Sequence, residues 1–412
     1  MGKKCLLLCL GNMGKSALYD LVKSGIVSEI TVVDKYPKCL MDEYIGTLPR
    51  RETVKSIEMD LRNFALLQNL IAKERFDLIV EFVPRDLTYP VGKLAIENGI
   101  HVVTSMHYDI WTEEPERVIR ERDEEIQTLD EVCRKKKVTV LTNFGMDPGI
   151  EDALDAQAVK ELDEVHEYHS YGAGFPEPQA ANNPLKYKFT WSVQGCLGSY
   201  LFPAYTIKQG KVTFTPGKEM FSPSNMHILE LEEIGFPLEA FAEENVVKRL
   251  NALRIDLGKV RTAGKYICRW PGHGAFWERV AQCGLLDNTP IQIGSANISP
   301  QEFMAAVLGP QKQFQYQDGE RDIALLRSDL RGIKDGRKKR VVYQVIDRRD
   351  LATGLTAMQR TVGFSISIGA QMILNNQIPK YGILLPKDVP FEPFVQELAK
   401  RGIHVQHRVT EE

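Results

Sequence analysis

The sequence predicts an α/β protein: a Rossmann-type parallel-sheet domain together with an α+β domain. Three observations carry this. From Lys3 to Asp34 the chain runs basic start, apolar run, Gly11-Asn12-Met13-Gly14, helical stretch, second apolar run and acid. Short apolar runs then alternate with helical stretches as far as Thr104, the pattern of strands covered on both faces by helices. After residue 150 the texture changes to strand-like stretches separated by loops rich in Pro, Gly and Asn.

Lys4–Leu10 reads as a buried parallel strand. Gly11 allows a sharp turn and a close approach to a pyrophosphate; Gly14 lets the helix start lie close to the strand. The helix Lys15–Lys23 directs its first NH groups at the phosphates. Ser24-Gly25 ends it, and Glu29–Val33 is the second strand. Asp34 stands twenty residues past Gly14, where a carboxylate bonds the adenosine ribose or is merely solvated at a strand end. Strand, glycine turn, helix, strand and acid together build a dinucleotide pocket, in which Asn12 and Met13 complete the turn. Cys9 stands where the first glycine of G-x-G-x-x-G belongs, so the fingerprint is incomplete. The Asp34 carboxylate disfavours a 2′-phosphate. NAD is therefore expected, and Lys35 leaves room for NADP.

The alternation continues. Ser56–Met59 is a strand, and Asp60-Leu61 leads into the helix Asn63–Lys73. Asp60 either caps that helix or borders the adenine pocket. Asp77–Phe82 is a buried strand ending at Val83-Pro84, Tyr89–Asn98 a helix, and Ile100–Thr104 a further strand. Glu113–Lys136 is a charged helix with one apolar side, and Val138–Leu141 is the next strand. Strand-like stretches follow at Val165–Ser170, Lys186–Ser192, Ala204–Ile207 and Lys211–Phe214. Asp322–Ile333 and Lys338–Asp347 read as a hairpin turning at Asp335-Gly336. Thr356–Leu374 is a long apolar helix whose Gly363 and Gly369 suggest close packing. Glu392–Arg401 is the last helix, with Pro393 tolerated in its first turn.

Composition sets the bounds. A chain of 412 residues implies two or three domains. A net charge of −3 gives no sign of nucleic-acid binding by bulk attraction. Seven scattered cysteines without a C-x-x-C fit reduced thiols. The apolar run after Lys3-Lys4 is too short for a signal peptide, Leu6 stands where N-myristoylation needs Ser or Thr, and no segment is long enough to span a membrane. A cytoplasmic protein is the resulting expectation.

In an open parallel sheet, ligands sit at the carboxyl ends of the strands. Gly11–Gly14, Asp34, Val83-Pro84, Thr104–Tyr108 and Asn143–Gly149 should converge there. The nicotinamide end falls near Val83, Pro84, Thr104 and Ser105. His107 and Tyr108, beside Asp109, are candidate acid–base groups. Asp147-Pro148-Gly149 reads as N-cap and first turn of the helix Ile150–Leu162. A helix start at a cleft also suits a carboxylate, so Asp147 and Gly149 are candidates for catalysis and substrate binding respectively. Tyr187, Lys188 and Trp191 are more polar and aromatic than a core strand needs and suit a zwitterionic substrate; an edge strand is the plainer reading. His273 lies in a turn and is a weaker candidate. No metal signature exists, because His166 and His169 face opposite sides of a strand.

Several motifs together resemble the saccharopine dehydrogenase family, of the NADP-saccharopine reductase and lysine 6-dehydrogenase type. They are Gly11-Asn-Met-Gly14, Phe144-Gly-Met-Asp-Pro-Gly-Ile150, Asn183-Pro-Leu-Lys-Tyr-Lys-Phe-Thr-Trp-Ser192, Arg269-Trp-Pro-Gly-His273 and Thr356-Ala-Met-Gln-Arg-Thr-Val-Gly-Phe364. The resemblance implies a Rossmann domain over 1–145 and 357–412, with an inserted substrate and dimerisation domain over 146–356. It further implies a homodimer and hydride transfer at a carbon–nitrogen bond of an amino acid, through an imine. Gln194 departs from the family pattern, which tends to carry Arg there. Saccharopine, free lysine and a carboxylated polyamine imine are the candidate substrates. A cofactor-binding regulator without turnover is the non-enzymatic alternative.

Overall fold

The computed structural model describes residues 2–110 and 115–412. It divides into two compact units, Met1–Ala153 with Gln359–Gly402 and Leu154–Met358 with Ile403–Glu412. The first unit opens with β1 (Lys3–Leu8), α1 (Asn12–Ser24), β2 (Val27–Asp34), α2 (Lys38–Gly46), β3 (Val54–Glu58) and α3 (Phe64–Lys73). It continues with β4 (Leu78–Glu81), α4 (Arg85–Glu97), β5 (His101–Thr104), α5 (Glu116–Lys136) and β6 (Thr139–Leu141). Helix α6 (Ile150–Lys160) runs into the second unit.

The second unit holds β7 (Glu164–Pro176), α7 (Val193–Ser199), β8 (Ala204–Lys208), β9 (Lys211–Thr215), β10 (Met226–Leu229) and β11 (Leu238–Glu243). Next come α8 (Val246–Ala252), β12 (Thr262–Arg269), α9 (His273–Gln282), β13 (Ile291–Ile293), β14 (Ala296–Ile298) and α10 (Pro300–Leu308). The hairpin β15 (Asp322–Lys334) and β16 (Arg337–Arg348) completes that run. The chain then returns to the first unit through α11 (Ala357–Gln359), a π-turn (Arg360–Phe364), α12 (Ser365–Leu374), β17 (Gly382–Leu384) and α13 (Phe391–Lys400). It ends in β18 (Val405–Glu411).

The first sheet has the order β17-β6-β5-β4-β1-β2-β3, and its pairings are all parallel. Leu6, Leu8, Ile79, Val102 and Val140 are fully buried in it. Each such side chain contributes roughly 1.5–3 kcal/mol by leaving water, which is why runs this short suffice. The second sheet runs β10-β11-β12-β7-β15-β16-β18, with β8 and β9 attached beside β12. Its one parallel pairing on that path is β12 with β7. Asp335 and Gly336 close the β15–β16 hairpin at φ 51° and 74°, the left-handed values a two-residue turn requires.

Several expectations need correction. Helix α2 and strand β17 are additional elements. Asn63, and not Asp60, sits at the N-cap of α3. Asp60 instead closes a turn, its carboxylate accepting Arg62 N at 2.9 Å and its carbonyl accepting Asn63 N at 3.0 Å. Residues 113 and 114 of the expected charged helix lie outside the described residues. Lys186–Ser192 is irregular and no strand, because Asn183 Oδ1 takes Leu185 N at 3.0 Å and holds the backbone in a turn. The C-terminal tail does not stay with the Rossmann sheet. Strand β18 pairs with β16, so residues 403–412 belong to the second unit.

The returning helices are bound to α1 by a buried charged network. Asp20 accepts Arg401 Nε at 2.7 Å, Ser367 Oγ at 2.6 Å and Gln371 Nε2 at 3.0 Å. Arg401 also meets Glu397 at 2.8 Å. Beside it Gly363 lies so close to α1 that an added Cβ would sit 1.9 Å from Ser16 Oγ. Removing one partner leaves a buried charge uncompensated. Arg401→Met is therefore expected to lower unfolding free energy by about 3–5 kcal/mol, read from urea denaturation. A loss under about 1 kcal/mol would mean that the network is solvated.

Candidate functional sites

Each unit carries a polar site. In the first, the turn after β1 bends at Cys9, whose φ of 73° is the left-handed conformation that glycine adopts without strain. Cysteine thus occupies the first fingerprint position in a glycine's geometry. The turn is braced by Asp34: Leu10 N donates to Oδ2 at 2.5 Å, and Tyr36 N to Oδ1 at 3.0 Å. Asp34 is 4% exposed. Gly14 is needed for contact, since an added Cβ would lie 2.1 Å from the Cys9 carbonyl. Gly11 has open space where a Cβ would stand. The start of α1, with Asn12 and Met13 in its first turn, has no side-chain cap. An open glycine and an uncapped helix start fit the phosphates of a dinucleotide.

Glu81, at the end of β4, lies beside Leu8 of β1 and Thr104 of β5 in the sheet register. It is fully buried, and burial raises its carboxyl to about 8 against an ordinary 4.5. Thr104 Oγ1 donates to it at 3.3 Å and accepts Met106 N at 3.1 Å. Val83 is buried, and Pro84 is an exposed residue at the N-cap of α4. Phe144 N reaches the Thr104 carbonyl at 3.0 Å and Asn143 N the Met106 carbonyl at 3.1 Å, so the loops after β5 and β6 meet. Ser105 adjoins that meeting, half-buried beside Gly145.

The catalytic candidates separate. His107 keeps partial exposure, with Nδ1 3.7 Å from Asp109. Tyr108 is packed in the core of the first unit, its ring edge-on to Tyr89 at 5.8 Å and its hydroxyl against Gly92. Burial holds that phenol protonated, far above its ordinary value. Asp147 is half-buried and precedes a cis Pro148. It is not the cap of α6. Gly149, at φ 139°, donates its NH to Asp152 at 2.9 Å, while Ile150 N and Glu151 N reach the Gly145 and Met146 carbonyls. The capping role expected of Asp147 is thus filled by Asp152 and by the chain before it.

The second unit gathers Tyr187 and Lys188, both buried. Lys188 Nζ pairs with Glu320 at 2.5 Å and lies 5.9 Å from the Tyr316 ring. Burial tends to raise the Glu320 carboxyl, but the Gln317 amide and Lys188 outweigh it and hold the group low. Trp191 is more than a third exposed and lies over Gly195 in the first turn of α7. Gln194 is exposed on that helix. Tyr187 stacks under the Arg269 guanidinium at 4.9 Å. His273 Nδ1 donates to the Leu185 carbonyl at 2.8 Å, so Nε2 accepts from Tyr200 Oη at 2.9 Å. Burial and the nearby Arg269 push His273 down to about 3, and it remains a neutral structural link.

Comparison with known proteins places the chain. Residues 145–403 match the saccharopine dehydrogenase C-terminal domain, and residues 6–141 the saccharopine dehydrogenase NADP binding domain. The chain belongs to the saccharopine dehydrogenase family. It is 26% identical to the NADP(+), L-glutamate-forming saccharopine dehydrogenase of Saccharomyces cerevisiae, over 99% of both chains. It is 23% identical to the Schizosaccharomyces pombe enzyme of the same name, over 90% of this chain and 91% of that one. The mitochondrial alpha-aminoadipic semialdehyde synthase of Bos taurus is also 23% identical, but there the match spans 97% of this chain and 47% of that protein. The apo L-Glu-forming saccharopine dehydrogenase of S. cerevisiae has the same fold, with a TM-score of 0.79 at 20% identity, covering 99% and 100% of the two chains. Among the described residues of this family member, no helix is long and apolar enough to cross a membrane.

Sequence reasoning passed over Glu81, Arg269 and Glu320. For Glu81 a signal existed: a single charged residue in the otherwise apolar run 78–82. Glu81 yields a test. Its folded value lies above its unfolded one, so the folded state favours the protonated form. The resulting penalty is absent below about pH 4.5, grows as pH rises and is constant above about 8. Glu81→Gln should therefore be more stable than the parent at pH 9, with the gap closing by pH 5. Urea denaturation across pH checks this; parallel curves would mean that Glu81 titrates normally.

Proposed function

We propose that this protein is an NAD(P)-dependent oxidoreductase acting on the carbon–nitrogen bond of an amino acid. The observation that carries the reading is the match of both family domains along one chain, joined to a turn and helix start that fit a dinucleotide. When bound, the nicotinamide supplies the hydride acceptor or donor. The chain's own residues do the rest. Gly11, Gly14 and the start of α1 hold the phosphates. Asp34 accepts hydrogen bonds from the ribose hydroxyls and favours NAD over NADP. His107 and Asp147 are the groups with enough exposure to take the proton that leaves nitrogen as the imine forms. Tyr108 is left out, since its hydroxyl lies in the core. In the second unit the exposed Trp191 contacts the amino acid, while the buried Tyr187 and Lys188 act through their partners Arg269 and Glu320.

Saccharopine is the first substrate to try. The exposed, uncharged Gln194 favours a second reading, oxidative deamination of free lysine, which needs one anion site fewer. The test follows NADH and NADPH absorbance with saccharopine, with lysine, and with the semialdehyde plus glutamate. Turnover of one set is expected, and turnover of none sinks the enzyme reading. Asp34→Ser should move the ratio of kcat/KM for NAD over NADP toward NADP by about tenfold or more, the scale of one lost or gained charged contact. An unmoved ratio would mean that Asp34 does not read the ribose.

A further inference from the structure

Arg269 is the last residue of β12 and is 6% exposed. Its Nη1 donates to the Cys268 carbonyl at 2.9 Å, and its guanidinium faces the rings of Tyr187 at 4.9 Å and Tyr200 at 5.8 Å. Its Nε is buried without a hydrogen-bond partner. Among the described residues no carboxylate pairs with it. Other guanidiniums buried in this protein are treated differently. Arg249 meets Asp155 at 3.1 Å and Glu244 at 3.3 Å, and Arg327 meets Asp329 at 2.8 Å. Aromatic faces attract a cation but accept no NH in the ring plane; beyond the Cys268 carbonyl and the Tyr200 side chain, Nε is left without an acceptor.

A second donor is left over nearby. The Tyr316 hydroxyl is buried without a partner, and besides burial it feels the charges of Asp322, Glu320 and Arg269. Lys188 cannot serve as an acceptor and is itself engaged by Glu320. The position of Arg269 is fixed from behind. Leu185, His273 and Tyr200 form a chain of hydrogen bonds that holds the Tyr200 ring beside the guanidinium. A buried charge is stable only when paired, and a guanidinium fork with a free Nε matches the planar oxygens of a carboxylate.

We infer that Arg269 is the specificity-determining anchor for a carboxylate of the substrate, with the Tyr316 hydroxyl as a second donor to it. The anchor lies wholly within the second unit. It rests on the reading of the protein as an amino-acid oxidoreductase, and it adds which group recognises the acid.

The test reads binding apart from turnover. Thermal unfolding of the full chain is followed with glutarate, and with inorganic phosphate at equal ionic strength, for the parent, Arg269→Lys and Arg269→Met. Glutarate should raise the parent Tm more than phosphate does. Arg269→Met should lose that shift and, without ligand, keep or exceed the parent Tm, because it removes an uncompensated buried charge. Arg269→Lys keeps the charge and should retain part of the shift. With a turned-over amino acid, Arg269→Lys should raise KM roughly 10- to 100-fold, the loss of charge-assisted hydrogen bonds. Its kcat should change far less, and NAD(P)H affinity, by fluorescence titration, not at all. A parent Tm that glutarate does not move, an equal shift in all three proteins, or a shift matched by phosphate would each overturn the anchor. So would a large loss of Tm in Arg269→Met with an unchanged KM in Arg269→Lys. If no amino acid is turned over but the glutarate shift depends on Arg269, the anchor stands and the catalytic reading falls.

Discussion

The Asp20 carboxylate is the point on which the first unit closes. The chain leaves the parallel sheet after β6, builds a second unit, and must then find its way back. A sheet edge alone is a poor address, because β17 is a short strand whose pairing could slip. Asp20 supplies a specific one. It sits on α1, the helix that carries the glycine turn, and it requires a cation and two further donors to be tolerable inside the protein. Arg401, Ser367 and Gln371 come from the returning helices and from nowhere else. The same contact seats Gly363 on Ser16 and lets Gln359 reach the Asn12 carbonyl at 3.1 Å. The last part of the chain therefore fixes the helix that opens the first part.

That arrangement bears on the dinucleotide turn. Cys9 holds a left-handed conformation that costs a non-glycine residue roughly 1–2 kcal/mol. The cost is borne by what surrounds it: Cys9 N donates to Val33 at 2.8 Å, Leu10 N to Asp34, and Gly14 lies on the Cys9 carbonyl. With α1 pinned at Asp20 on one side and the turn pinned at Asp34 on the other, the backbone has no cheaper path. A small side chain at position 9 is the remaining condition, and cysteine meets it.

How far all this can be read from the sequence depends on the range of the forces involved. The strand–turn–helix–strand–acid order was legible because apolar period, glycine and acid are local signals. The β15–β16 hairpin was legible for the same reason, through Asp335-Gly336. Helix α2 was not, because it is short and buries only Met41 and Ile45, so its apolar residues trace no continuous face. Strand β18 was not, because it is an exposed edge strand defined by its partner β16. Lys186–Ser192 misled, because its alternating aromatics mimic a strand. Tyr187 is instead drawn into the core and Lys188 toward Glu320, a residue far along the chain. Asp147 misled through its proline. The same three residues that read as a cap form a tight loop in which the Pro148 carbonyl accepts Gly145 N and Gly149 N donates to Asp152. Long-range charge, as at Arg269 and Glu320, left no pattern in spacing.

The fold leaves one contrast with the named relatives, and it lies at the end of β2. The yeast relatives carry NADP(+) in their names, whereas this chain has Asp34 at the end of β2. The acid has a structural duty, since it braces Leu10 and Tyr36 whether or not a nucleotide is present. A brace of this kind does not conflict with ribose binding. Each carboxylate oxygen accepts one backbone NH and keeps a second lone pair, and ribose hydroxyls are donors. A 2′-phosphate is different: it offers acceptors and negative charge to a group that has acceptors and negative charge of its own. Lys35 is exposed next to it and is the cation on hand to offset that repulsion, because Lys38 is already tied to Asp42 and Ser56. The end of β2 thus carries one buried acid that braces the turn and one exposed lysine beside it.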